Sequence, residues 1–138
     1  MGQVRIGVSG WSYGRWRGDF YPEGLRQRDE LSYIASQLNS AEINSSFYSL
    51  KTPSVYTAWS TATPDGFCFA VKGSRYITHL KQLHDPVPPL SNFYASGPLQ
   101  LARKLGPFLW QLPERLHFDA GRLEGFFGAL PRTIGEAY

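Results

Sequence analysis

Glu42 and Lys72 are the side chains of this sequence best placed for acid–base chemistry, because each falls near the end of a short run of β-strand type. Ala41 to Asn44 reads A-E-I-N, with apolar and polar residues alternating, and Phe67 to Lys72 reads F-C-F-A-V-K. A carboxylate and an ammonium group brought together hold each other's charge state and can divide the work of base and acid. Glu42 is therefore the candidate general base and Lys72 the candidate group to offset a developing oxyanion. Asn44 beside the carboxylate, and Gln111 after a fourth apolar run, would orient a substrate. Trp11, Tyr13, Phe47, Tyr48 and Tyr76 would form its walls, and Arg75 adds a cation suited to a small anionic ligand. Each feature also has a plainer reading. Glu42 and Lys72 could be a buried ion pair that fixes strand packing. Asn44 and Gln111 could tie loop backbone. His79, on a helical stretch, reads as a solvated surface histidine.

These residues need elements to hold them, and the hydrophobic pattern supplies an order. Val4 to Ser9 reads as a first strand, followed by a loop to Gly24 rich in glycine and aromatics. Asp29 is placed to cap a first helix with Leu31, Ile34, Ala35 and Leu38 on its apolar side. Ala41 to Asn44 is the second strand, and Phe47 and Tyr48 fall in the loop after it. Thr52 and Pro53 start a second helix to about Thr63, with Val55, Tyr56 and Trp59 lining its buried side. Phe67 to Lys72 is the third strand. Gly73 to Asn92 lacks a long period; Tyr76, Ile77, Leu80 and Leu83 suggest one short helix before the proline-rich break from Asp85 to Pro89. Leu99, Leu101, Ala102 and Leu105 suggest a third helix stopped by Gly106 and Pro107, and Phe108 to Leu112 a fourth strand. Asp119 would cap a fourth helix with Leu123, Phe126, Phe127 and Leu130 on one side.

The sequence therefore predicts an α/β fold of four β-α units with parallel strands and right-handed crossovers, in a single domain over residues 1–138. An open sheet with helices on both faces and part of a (β/α)-barrel fit this order equally. In both, ligands gather at the carboxyl ends of the strands, where all the candidate residues fall.

Composition narrows the function classes. A net charge of +3 without a block of like charges permits a phosphate-bearing partner without demanding one. Aromatics make up 15% of the chain, more than core packing alone calls for. Cys68 is the sole cysteine, expected as a buried small hydrophobe. With no internal disulfide, no charged-then-apolar leader and no long apolar span, the expectation is a soluble cytoplasmic protein away from membranes. His79, His84 and His117 lack metal-site spacing, and there is no phosphate-loop, dinucleotide or nucleophile-elbow pattern. No cofactor or metal is expected.

Five segments carry a resemblance: I-G-V-S-G-W-S-Y at Ile6 to Tyr13, W-R-G-D-F-Y-P at Trp16 to Pro22, A-E-I-N-S-S-F-Y at Ala41 to Tyr48, F-A-V-K-G-S-R-Y-I-T-H at Phe69 to His79, and L-G-P-F-L-W-Q-L-P at Leu105 to Pro113. In these segments, in this order, the chain resembles the YecE-like family (domain of unknown function 72). The resemblance implies a TIM-type barrel and no settled activity. The sequence matches its N-terminal half: family members approach the ~250 residues of a usual eight-stranded barrel, and four β-α units make a half barrel. A half barrel leaves strand edges unpaired, which points to a homodimer. Three functions follow as expectations. The first is an enzyme on a small phosphorylated or sugar-like substrate. The second is a nucleic-acid binding module, stacking bases on Trp11, Tyr13, Trp16 and Tyr76 with Arg15, Arg17, Lys72 and Arg75 on phosphates. The third is a non-catalytic half barrel that self-associates.

Overall fold

A computed structural model describes residues 2–132. Its four strands, β1 (Gly7–Ser9), β2 (Ser40–Ile43), β3 (Cys68–Lys72) and β4 (Leu105–Leu109), form one parallel sheet in chain order. The helices are α1 (Glu30–Gln37), α2 (Ser45–Tyr48), α3 (Pro53–Thr61), α4 (Val87–Ala95) and α5 (Ala120–Ala129). Neighbouring strands are sequential neighbours joined by helical crossovers, the arrangement of a partial (β/α) barrel.

Period two along the strands separates two faces. Ala41, Ile43, Phe69 and Val71 are buried and form a core with Ile34, Tyr56, Phe93 and Phe126 of the helices. Ser40, Glu42, Cys68, Ala70 and Lys72 alternate with them and are half-buried on the opposite face. That inner face is small and polar. Cys68 thus departs from the expected buried position: it sits half-buried on this face, where Gly106 of β4 leaves room for its sulfur.

Several expected boundaries shift, each for a local reason. The first strand begins at Gly7 rather than Val4, because the Asn39 side chain occupies the backbone of residues 4–6. Asn39 Nδ2 donates to the Val4 carbonyl at 3.0 Å, and Ile6 N–H donates to Asn39 Oδ1 at 2.7 Å. Asp29 precedes α1 without capping it; its carboxylate accepts from Arg26 Nε at 2.9 Å instead. Thr52 and Pro53 do open α3, with the Thr52 hydroxyl hydrogen-bonded to Ser54 at 2.9 Å rather than to backbone N–H. The expected loop after the second strand is one helical turn, α2, beginning just after Asn44.

The largest correction lies between β3 and β4. The crossover helix is α4, which starts inside the proline-rich stretch: Pro88 and Pro89 fall in its first turn, where missing N–H groups leave no bond unmade. The helix expected over Leu99 to Leu105 is a 3-10 segment, Pro98–Lys104, kinked at Ala102. Lys104 from its end caps α3, with Nζ donating to the Ser60 carbonyl at 2.6 Å and the Thr63 carbonyl at 2.5 Å. The fourth strand consequently runs Leu105–Leu109 and contains Gly106 and Pro107, which an edge strand tolerates. Around Tyr76–Leu80 the chain makes a π-helical turn. Asp119 caps α5 as expected, its carboxylate accepting from Arg122 N–H at 3.0 Å, although Phe127 is 62% exposed rather than on the apolar side. No helix among the described residues is long and apolar enough to cross a membrane.

Candidate functional site

The loop after β1 is shaped by hydrogen bonds that turn it across the end of β2. Gly10 N–H donates to the Glu42 carbonyl at 2.9 Å, and the Tyr13 hydroxyl donates back to the Ser9 carbonyl. Gly10 adopts φ 74°, and a Cβ there would stand 2.8 Å from the Tyr13 oxygen, so this turn requires glycine. The rest of the loop is packed. Tyr21 is fully buried, donates its hydroxyl to the Trp11 carbonyl, meets Trp16 and Phe20 at a tilt and stands edge to face with Tyr33. Burial, reinforced by the Glu30 charge and opposed by Arg17, pushes the Tyr21 pKa up to about 12. Tyr21 and Trp16 are thus mainly loop packing, with Trp16 also bordering a shallow hollow beside Ser9, Tyr13 and Arg15.

Trp11 has a different place. It stands edge-on to Trp59 of α3, ring centres 5.4 Å apart, and the two line a cleft of about 440 Å³ at the carboxyl ends of β1 and β2. Gly10, Ser12, Tyr13, Asn44, Ser45 and Tyr48 complete the lining. The volume lies within the range of small-molecule sites. Beneath it runs a polar chain: Asn44 Nδ2 donates to Ser9 Oγ at 3.4 Å, and Ser9 Oγ donates to Glu42 Oε1 at 2.7 Å. Ser9 spends its proton on the carboxylate, so it accepts from the amide, and this order fixes the amide orientation. Asn44 Oδ1 is then buried without a protein partner.

Lys72 and Glu42 form no ion pair among the described residues, which corrects the expectation that they hold each other. Glu42 takes the Ser9 hydroxyl, and the Lys72 ammonium lies 4.7 Å from the centre of the Phe47 ring, a cation–π contact. Ser46 of α2 explains the separation: it is buried and donates to the Lys72 carbonyl at 2.6 Å, which wedges α2 between the two strand ends. Phe47 is accordingly a partition rather than an exposed wall, 9% exposed, with Tyr48 and His79 each edge-on to it at 5.1 Å.

On the far side of Phe47 a second cleft, about 630 Å³, is lined by His79, Gln111, Leu112, Pro113, Glu114 and Arg115. Arg75 and Tyr76 stand exposed on the turn that leads to His79. His79 is half-buried rather than fully solvated; its Nδ1 shares a 2.8 Å hydrogen bond with Thr78, and its carbonyl accepts from Arg115 at 3.3 Å. Partial burial and the charges of Arg75, Arg115 and Lys72 lower its pKa below the usual histidine value.

The candidate residues therefore divide. Trp11, Tyr13, Asn44 and Tyr48 share the first cleft above Glu42; Gln111 lines the second; Lys72 lies on the Phe47 ring, and Arg75 and Tyr76 are exposed on the turn after β3. Sequence reasoning missed Trp59, assigned to the core of its helix, and Arg115, whose place after a strand end was its only signal. Among the described residues no group of three or more His, Cys, Asp or Glu side chains could hold a metal ion.

Two solved structures share this fold, both of a DUF72 family protein from Enterococcus faecalis. One aligns at TM-score 0.70 and 19% identity, covering 91% of this chain and 46% of the other. The second aligns at TM-score 0.64 and 18% identity, covering 91% and 47%. The chain thus spans about half the length of the solved structures it matches. No curated protein matches it. The family described as "Protein of unknown function DUF72" matches residues 5–137, and to that family this chain belongs.

Proposed function

We propose that the cleft between the ends of β1 and β2 binds a small hydroxyl-bearing ligand, and that the chain is part of an enzyme acting on a sugar-like or phosphorylated compound. The observation that carries this reading is the polar chain from Asn44 through Ser9 to Glu42, set below aromatic walls. A ligand hydroxyl reaching Asn44 Oδ1 gives that buried acceptor a donor. Glu42 is the general base, taking the Ser9 proton as Ser9 takes one from the ligand, and Asn44 Oδ1 orients the ligand hydroxyl that donates to it. Lys72, placed one ring away on Phe47, offsets negative charge developing toward β3.

The test is a panel of aldoses, ketoses and their phosphates assayed against the native chain and Glu42→Gln. Loss of the base is expected to cut turnover of the accepted compound by about 10²–10⁴-fold, with thermal unfolding unchanged. Equal turnover by both proteins contradicts the role given to Glu42.

The nucleic-acid reading draws less support from the geometry. Arg17 is held by Glu30 at 2.7 Å, Trp16 is engaged by Tyr13 and Tyr21, and Tyr76 is on the turn after β3, outside the lining of the Trp11 cleft. Self-association has a specific observation behind it. The inner face of the sheet is half-open, and among the described residues β1 and β4 each have an edge with no neighbouring strand, with Ile6 63% and Leu109 41% exposed beside them. A two-fold axis along the barrel axis would pair β4 of one copy with β1 of the other, in parallel. Light scattering across a dilution series is expected to give twice the chain mass; the monomer mass at every concentration overturns self-association.

A further inference from the structure

We infer that Lys72, Arg75, His79 and Arg115 form an anion subsite, which receives the phosphoryl or carboxylate group of the ligand bound in the first cleft. This inference deepens the reading of that cleft and rests on it for the rest of the ligand.

Three elements bring the group together. Lys72 comes from the end of β3, Arg75 and His79 from the π-helical turn that follows, and Arg115 from the turn after β4. Contacts join three of them: Lys72 lies on the Phe47 ring, His79 stands edge-on to the same ring, and Arg115 donates to the His79 carbonyl, while Arg75 stands exposed at the start of the π turn. Some cations elsewhere are matched to carboxylates, as in Arg17 with Glu30, Arg26 with Asp29, Lys81 with Asp85 and Arg122 with Asp119. Lys72, Arg75 and Arg115 have no carboxylate in ion-pair contact among the described residues. Glu114 is the one acidic residue lining this cleft, where it stands beside Arg115 and His79, and the charges of Lys72 and Arg75 reach His79 from outside that lining.

An anion bound here would offset those charges. Guanidinium groups match the planar spread of phosphoryl or carboxylate oxygens, and an imidazole near neutrality gains a proton when the anion arrives. The turn itself is strained in support of this placement. Lys81 N–H closes a π-type bond to the Tyr76 carbonyl at 2.8 Å, and Gln82, Leu83 and Asp85 then adopt φ values of 49°, 66° and 42°. Left-handed backbone at non-glycine residues is uncommon and concentrates at functional turns, as π-helical turns do. One phenylalanine ring separates this subsite from the first cleft, so a polyhydroxy compound with a terminal phosphate can engage both.

The experiment follows the His79 ring by NMR in the full chain, at fixed ionic strength, while inorganic phosphate is added. Saturable movement of the His79 resonances is expected, together with an upward shift of its pKa. Arg75→Gln combined with Arg115→Gln, both exposed positions, is expected to weaken phosphate at least tenfold. Circular dichroism confirms that this variant stays folded, and Arg75→Lys with Arg115→Lys restores part of the affinity. Glu42→Gln leaves phosphate binding unchanged, so failure of the first cleft and failure of the anion subsite are told apart. The proposal is overturned by a non-saturable drift of all basic residues together, by no response at His79, or by a response that survives the double substitution. It is also overturned if phosphate has no effect and only a single-stranded oligonucleotide moves His79.

Discussion

Gly97→Ala is expected to cost about 3 kcal/mol of stability, lowering the melting temperature by roughly 10 °C. Gly97 links α4 to the 3-10 segment and is fully enclosed there, with φ 111° and ψ 17°. Two separate penalties meet at this one atom. The backbone lies where side chains strain, and an added Cβ would stand 2.5 Å from Pro53 Cα and 2.9 Å from Pro53 N. Pro53 is main chain at the start of α3, so it cannot swing aside as a long side chain would. The link matters for the site because α3 carries Trp59 into the first cleft. Gly125→Ala in α5 is the control, since nothing lies within 4 Å of its Cβ position and helix propensity favours alanine. Calorimetry on both variants checks the expectation. A loss at Gly97 no larger than the change at Gly125 would contradict it.

Arg17→Met is expected to destabilise the fold by about 2–4 kcal/mol, because it leaves a buried carboxylate unpaired. Glu30 in the first turn of α1 is fully buried, and its Oε1 accepts from Arg17 Nε at 2.7 Å. Its other oxygen, Oε2, is buried without a partner, so the arginine is its principal compensation. Arg17 itself is 44% exposed, which places the expected loss below that of a fully enclosed pair. The direction of the companion change discriminates. Arg17→Met with Glu30→Leu removes the stranded charge together with its partner and is expected to recover most of the loss. Urea unfolding of the two single variants and the double variant completes the cycle. An Arg17→Met variant within about 0.5 kcal/mol of the native chain would show that Glu30 does not depend on it.

What could be read from the sequence, and what could not, follows from the range of the forces involved. Strand identity in β2 and β3 was legible because Ala41, Ile43, Phe69 and Val71 alternate with polar or small residues, and that alternation is local. Parallel β-α order followed from it. The crossover before β4 was misread because Pro88 and Pro89 look like a break, although the first turn of α4 accommodates both. Leu99 and Leu101 imitate helical spacing in a segment that Gly97 and Ala102 bend into 3-10 form. At the site, Glu42 lies within β2, Asn44 directly after it and Lys72 at the end of β3, where the alternation placed them. Their pairing was beyond local pattern. Whether Glu42 met Lys72 or Ser9 depended on Ser46, a small buried hydroxyl that binds the Lys72 carbonyl and carries Phe47 between the two sides. Trp59 has the apolar spacing of a core residue of its helix, and the one mark on Arg115 is its place after a strand end, so neither stands out locally as lining.

Chemical-shift mapping of the labelled chain with a panel of polyols and sugar phosphates tests the strand-end site most directly. The indole N–H signals of Trp11 and Trp59 and the side-chain amide of Asn44 are expected to move together and saturate for at least one compound. Glu42→Gln, which alters the group that orders Ser9 and Asn44, is expected to weaken that response about tenfold, equivalent to about 1.4 kcal/mol. Binding whose shifts fall elsewhere, with the Trp11, Trp59 and Asn44 signals unmoved by every compound, would contradict a ligand site between the ends of β1 and β2.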